Sequence, residues 1–376
     1  MEKPFEEPLY VTRPFLPPID QFTEGLKDIW ESQWLTNNGP MLQKFEKELA
    51  KIHQTENISV FSNGTLALQL GLQALELTGE VITTPFTFVA TTHALFWNKL
   101  RPVFCDIEAD HYTLDPEKVE KAITPWTTAI LAVHVFGYPC KLKELEHIAR
   151  KHNLKLIYDA AHAFGVEVDG QPIGTFGDFS MFSFHATKLF HALEGGMLVF
   201  NEPAYKTTLK YLKNFGFKNE TEVVMPGTNA KMNELQALMG LTVLGYLDQI
   251  IEKRRQLTEV YCEKLSKIDG ITPPRIPDKN VRYNYSYLAI EIDEPLFGIS
   301  RDALYEKLKE FNIYSRRYFY PLISDLACYR AVPVDDDLTV ARDVASRILT
   351  LPIYNELTVA EVIKVCSIIA EIGSSK

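Results

Sequence analysis

Between about residues 60 and 200, short apolar runs alternate with longer stretches whose apolar positions recur three and four apart. Residues 58–61, 81–84, 102–105, 129–133, 156–158, 181–184 and 195–200 read as strands, and residues 66–77 and 141–151 as helices. Strands that alternate with helices predict an α/β fold with a mostly parallel sheet covered on both faces. Ligands of such sheets bind beyond the carboxyl ends of the strands, which is where Asp159 falls. The N-terminal segment through Pro14, Pro17 and Pro18 is expected to be extended, because proline removes a donor and biases its predecessor away from helix.

Farther on, Leu235, Leu238, Leu241, Leu244, Leu247 and Ile251 mark residues 231–268 as one long helix, straight or bent, stopped at Asp269-Gly270. Pro273-Pro274 and Pro277 then make a connector, followed by an alternating strand over 285–292 and a helix over 301–311. This part reads as a smaller α+β domain. The expected division is a large domain over 1–249 and a small C-terminal domain over 250–376.

Charge and composition narrow the partners. The chain has 376 residues, 46% of them hydrophobic, with a net charge of -10, which argues against non-specific nucleic-acid binding. Any anionic ligand must therefore be met by local donors. Five cysteines occur without a C-x-x-C pair, so neither a disulfide framework nor a thiolate metal site is expected, and a reducing cytoplasm is. His134, His162 and His185 lack metal-ligand spacing, and no metal is expected. No stretch is long and apolar enough to span a bilayer, and the first residues carry no leader pattern, so no membrane association is expected.

Lys188 carries the sharpest chemical signal. It lies between two strand-like segments, and partial burial there lowers the pKa of an amine toward the neutral form that attacks a carbonyl to make a Schiff base. Asp159 closes an apolar strand 29 positions earlier (188 − 159), about one strand-helix-strand unit, so the two can face one pocket. Taken alone, Asp159 is equally a strand-end cap for the next helix. Asn63-Gly64-Thr65 sits between a strand and a helix; helix N-terminal N–H groups and a Thr hydroxyl suit a phosphate, although such a turn also serves as plain capping. An amine, a carboxylate and a phosphate cradle are together the parts of a pyridoxal phosphate site.

Seven blocks, in order, resemble nucleotide-sugar aminotransferases of the DegT/StrS type. They are Trp34-Leu35-Thr36-Asn37-Asn38-Gly39-Pro40, Asn63-Gly64-Thr65-Leu66-Ala67-Leu68, Pro85-Phe86-Thr87-Phe88-Val89-Ala90-Thr91, Val133-His134-Val135-Phe136-Gly137, Asp159-Ala160-Ala161-His162-Ala163, Ser183-Phe184-His185-Ala186-Thr187-Lys188 and Glu194-Gly195-Gly196. The resemblance implies the aspartate-aminotransferase fold (PLP fold type I), a homodimer with shared active sites, and pyridoxal phosphate on Lys188. It further implies Asp159 at the ring nitrogen, Phe88 and His162 against the ring faces, Gly64, Thr65 and Ser183 at the phosphate, and Asn229 reaching the neighbouring subunit's phosphate. L-Glutamate would be the amino donor and a nucleotide-linked keto sugar the acceptor.

Asn63, Ala192-Leu193 and Ala230-Lys231 depart from the commonest wording of the family. With Arg316-Arg317-Tyr318-Phe319-Tyr320, they are most similar to the branch that aminates C4 of dTDP-4-keto-6-deoxyglucose; amination at C3 of a 3-keto isomer and UDP-linked 4-keto sugars stay open. Lys231, Arg316, Tyr318 and Tyr320 are the candidate substrate contacts. Arginine suits a pyrophosphate, though an exposed arginine pair is as often simply solvated. A related sugar dehydratase carries histidine at the lysine position, so Lys188 points away from that activity.

Overall fold

The computed structural model describes residues 2–332, 334 and 337–374. Seven strands form the central sheet: β1 (Ile58–Phe61), β2 (Glu80–Thr83), β3 (Arg101–Phe104), β4 (Thr127–Val133), β5 (Lys155–Asp159), β6 (Phe179–Ser183) and β7 (Gly196–Phe200). Their order is β1-β7-β6-β5-β4-β2-β3. All pairings are parallel except those of β7, which runs antiparallel to both neighbours. Successive residues enter different cores, as the pleat requires: Ile130 and Ala132 face one, Ala129 and Leu131 the other. Because both faces are covered, the strands read as unbroken apolar runs rather than alternating ones. The α/β class and parallel sheet predicted from the alternation are therefore present.

Helix Gly64–Ala74 shows how tightly the layers meet. A Cβ on Gly71 would stand 3.0 Å from a methyl of Leu198 on β7, so glycine permits close helix-to-sheet contact there. The predicted helix over 66–77 thus begins two residues earlier and ends three residues earlier.

The single long helix expected over 231–268 is two helices, Glu234–Leu244 and Leu247–Leu265. Gly245 and Tyr246 separate them, and the two segments serve different surroundings. The first is buried on most sides, against helices Ile19–Ser32 and Pro40–Ile52. The second runs from the large core at Leu247, Ile250 and Ile251 into a separate core at Leu257, Tyr261 and Leu265. That second core gathers around the antiparallel strands Ile271–Thr272, Leu288–Ile292 and Ile348–Leu351 with helices Arg301–Glu310 and Val359–Ser374. Leu9–Tyr10 joins this part of the molecule by pairing in parallel with Ile313–Tyr314.

The alternation over 285–292 also yields less strand than expected. Only Leu288–Ile292 is extended, and all five residues are buried. Tyr285 has φ of 54°, a left-handed conformation that ends strand pairing, and residues 283–287 instead form an irregular wall. Asn284 fixes that wall by donating to the carbonyls of His162 (2.8 Å) and Phe164 (2.9 Å), while Arg254 donates to the Ser286 carbonyl. The wall thereby carries Tyr287 to the carboxyl end of the central sheet. Among the described residues, no helix is long and apolar enough to cross a membrane.

Candidate active site

At the carboxyl ends of β4, β5 and β6 lies a cavity of about 610 Å³. Its lining includes Gly64, Thr65, Phe88, Asp159, His162, Ser183, Lys188 and Tyr318. These eight come from five separate stretches of chain, which the fold brings to one edge of the sheet.

Asp159 ends β5 and is buried. Its Oδ2 accepts a hydrogen bond from Thr91 Oγ1 at 2.7 Å, and its Oδ1 accepts one from the Ala161 N–H at 3.1 Å. Burial pushes this carboxyl above its ordinary range, and the two hydrogen bonds and the Lys188 charge only partly oppose that.

Lys188 projects from the loop between β6 and β7. Phe184 and Phe190 pin the loop beneath it, their rings 5.0 Å apart and nearly perpendicular, with Phe190 stacked on Phe164 at 4.3 Å. Backbone bonds from Phe184 to Gly195 and from Ala192 to Phe184 close the loop on itself. With the backbone so held, Nζ stands 6.0 Å from the centre of the Tyr287 ring. Burial lowers the amine's pKa, and nearby Asp159 and Tyr318 pull it back.

His162 is buried, and its Nδ1 accepts the Phe136 N–H at 3.2 Å. That bond places the ring proton on Nε2. Burial, with the Lys188 charge adding to it, holds the imidazole well below its ordinary range, so it is neutral. Its ring lies parallel to those of Phe136 and Phe319 and 4.7 Å from Tyr287.

The turn at Asn63-Gly64-Thr65 opens helix Gly64–Ala74. Asn63 Oδ1 accepts the Leu66 N–H, leaving the first-turn N–H groups of Gly64 and Thr65 with no carbonyl of the helix to bond. Ser183 is adjacent: a Cβ on Gly64 would lie 3.0 Å from Ser183 Cβ. Gly196 backs the turn still more closely, since a Cβ there would stand 2.6 Å from the Asn63 carbonyl and from Gly64 Cα. We expect Gly196→Ala to displace this turn, costing about 1–3 kcal/mol of stability. Thermal melting of the variant checks it. Gln236 ties the same turn to the lysine loop, donating to the carbonyls of Ser62 (3.1 Å) and Glu194 (2.7 Å).

The remaining candidates lie outside the lining. Asn229 is exposed, and its Oδ1 accepts from Lys231 Nζ at 2.9 Å; Lys231 also donates to Asn214 and sits over the Phe215 ring. Arg316 is exposed and paired through its backbone to Thr350, yet its charge acts on the hydroxyls of both Tyr287 and Tyr318. Arg317 differs from it: its guanidinium is bonded to Asp302 and lies over the rings of Tyr305 and Tyr320. Tyr320 in turn lies beneath Arg301 and Arg317, away from the cavity that Tyr318 lines. Among the described residues, no three His, Cys, Asp or Glu side chains are grouped to hold a metal ion.

Reading the sequence alone gave no role to Thr87, Thr91, Tyr287 or Phe319. Thr87, Tyr287 and Phe319 line the cavity, and Thr91 bonds Asp159. The threonine pair left one trace, a four-residue spacing at the entry to an apolar helix.

Residues 19–370 match the sequence profile of the DegT/DnrJ/EryC1/StrS aminotransferase family. The chain belongs to that family. Its members depend on pyridoxal phosphate, and the chain is accordingly an aminotransferase that uses this cofactor. It is 46% identical over 353 residues to the dTDP-4-amino-4,6-dideoxy-D-glucose transaminase of Shigella dysenteriae, covering 94% of this chain and 96% of that one. A protein of the same name from Escherichia coli is 44% identical over 364 residues, covering 96% and 97%. The crystal structure of DesI in the presence of its TDP-sugar product superimposes with a TM-score of 0.94 at 38% identity, covering 100% of this chain and 95% of DesI.

Proposed function

We propose that this aminotransferase moves the amino group of L-glutamate to C4 of dTDP-4-keto-6-deoxy-D-glucose, yielding dTDP-4-amino-4,6-dideoxyglucose and 2-oxoglutarate. The observation that carries this reading is the single cavity uniting Lys188, Asp159 and the Gly64-Thr65 turn, in a chain that matches the named C4 transaminases over nearly its whole length.

The residues suit pyridoxal phosphate. A lone helix-start glycine whose Cβ would crowd Ser183 leaves room for a phosphate beside two free N–H groups and a hydroxyl. Phe88, 57% exposed, lines the cavity and offers a flat apolar ring against which a pyridine ring can lie. The neutral His162 would cover the opposite face. The cavity volume is that of a small-molecule site.

When bound, the cofactor supplies an aldehyde that joins to amines and a ring that takes up the electrons released when a neighbouring C–H bond breaks. Lys188 Nζ would hold the aldehyde carbon and would be free once glutamate takes its place. The amine so freed, its pKa lowered by burial, would take the proton from the α-carbon of glutamate. In the second half it moves a proton to C4 of the sugar. Asp159 would hold a proton on the ring nitrogen.

Arg316 is the cation best placed for the diphosphate, because it is exposed and its charge reaches Tyr287 and Tyr318, whereas the guanidinium of Arg317 is bonded to Asp302. Asn229 and Lys231 lie outside their own protomer's cavity beside exposed Phe215, Phe217, Val223 and Val224, which supports a homodimer in which this loop serves the neighbouring site. The five free cysteines fit a reducing cytoplasm.

Comparing kcat/KM for dTDP-4-keto-6-deoxyglucose, its 3-keto isomer and a UDP-linked 4-keto sugar tests the substrate. A clear preference for the first is expected; preference for either of the others replaces it. For the same substrate, Arg316→Gln is expected to raise KM roughly tenfold, the usual loss for a charge-assisted hydrogen bond, with kcat for the glutamate half-reaction unchanged.

A further inference from the structure

Asp159 is joined to two buried threonines. Thr91 Oγ1 lies 2.7 Å from Asp159 Oδ2 and 3.0 Å from Thr87 Oγ1, and all three residues are buried. Both threonines stand at the entry to helix Val89–Trp97, where a spacing of four residues brings their hydroxyls together.

A hydroxyl has one hydrogen to give. With Asp159 ionised, the hydrogen of Thr91 is committed to Oδ2, so Thr91 accepts the hydrogen of Thr87. Both O–H bonds then point one way, from Thr87 in the cavity lining toward the carboxylate, and aligned hydroxyls strengthen each other. Oδ1 is held from a different element by the Ala161 N–H. The two oxygens are thus fixed by the helix at 89–97 and by the turn after β5, which sets the rotation of the carboxylate. Among the groups that oppose the cost of burying this charge, Thr91 comes first. Its neighbour Thr92 supplies a contrast: equally buried, its hydroxyl has no partner among the described residues.

We propose that Thr91, backed by Thr87, is a positioning residue that keeps Asp159 anionic and oriented toward the cofactor's ring nitrogen. The proposal rests on the assignment of Asp159 to that nitrogen. A valine at position 91 would fill the same space without the hydrogen bond, and a serine would keep the bond without the methyl group.

The test uses the full-length enzyme as wild type, Thr91→Val, Thr91→Ser, Thr92→Val and Asp159→Asn. Three properties are read: the dissociation constant for pyridoxal phosphate by absorbance titration, the holoenzyme's visible spectrum against pH, and the pH profile of kcat. Thr91→Val is expected to lower kcat roughly ten- to a hundredfold, the range for a lost hydrogen bond to a charged group. Its alkaline limb should move down by about one pH unit, because a less stable carboxylate holds the ring proton less firmly. Thr91→Ser and Thr92→Val should stay close to wild type. The relay is overturned if Thr91→Val matches Thr92→Val in all three properties, or if Thr91→Ser loses as much as Thr91→Val. If Asp159→Asn is impaired while Thr91→Val is not, the relay alone falls; if Asp159→Asn behaves as wild type, the role of Asp159 falls with it.

Discussion

Lys188→Ala, titrated with pyridoxal phosphate, should bind it without the visible band of a lysine-linked cofactor and should lose amino transfer by roughly 10³-fold or more, since both the anchor and the proton carrier are gone. Among the described residues, no other lysine lines the cavity. Lys213 is buried, but it bonds Ser59 and the Val60 carbonyl, and Lys231 lies outside the cavity, bonded to Asn214 and Asn229. A lysine-linked band retained in the variant would show that another residue holds the aldehyde. The same substitution reports on stability. The folded-state pKa of Lys188 is below its ordinary value, so its charge costs stability below that lowered pKa, and the cost disappears above the ordinary value of 10.5. At neutral pH the cofactor-free Lys188→Met variant, which keeps the bulk of the side chain, should therefore melt above the cofactor-free wild type.

Asp159→Asn should lower kcat by roughly 10²–10³-fold, because a neutral amide does not hold a proton on the ring nitrogen and the ring then takes up electrons poorly. Its folded-state pKa is raised, with burial the largest cause. The charge therefore costs stability above the folded pKa, and the cost vanishes as pH falls below the ordinary value of 3.8. Cofactor-free Asp159→Asn should melt above wild type at pH 7, and the difference should close toward pH 4. Loss of activity together with gain of stability distinguishes a functional buried charge from a structural one. A melting temperature lowered at pH 7 would instead make Asp159 a structural ion-pair partner.

Much of this site is visible in the chain because its parts are local. Each strand of the central sheet is buried on both faces, so Ala129–Val133 and its neighbours stand out as apolar runs, and Asp159 and Ser183 mark the carboxyl ends of two of them. Lys188 and the Gly64-Thr65 turn lie within compact motifs of their own. What stayed hidden depends on partners far away in sequence. Thr91 and Asp159 are 68 positions apart, so no periodicity links them. Tyr287 enters the cavity through a wall fixed by Asn284 and Arg254, which sequence alternation reads as ordinary strand. The break at Gly245 hides inside a continuous leucine period because both helices enter the large core beside it, and only the second runs on into the other core. Helix Ile19–Ser32 buries only Ile29 among its 14 residues, although Ile19, Phe22, Leu26 and Ile29 recur at helical spacing.

The most direct measurement follows the nitrogen itself. Wild-type enzyme with pyridoxal phosphate, glutamate labelled with ¹⁵N and dTDP-4-keto-6-deoxyglucose should yield a nucleotide sugar whose labelled amine is bonded to C4, with 2-oxoglutarate formed in equal amount. Label at C3, or 2-oxoglutarate released without labelled sugar, would contradict C4 amino transfer.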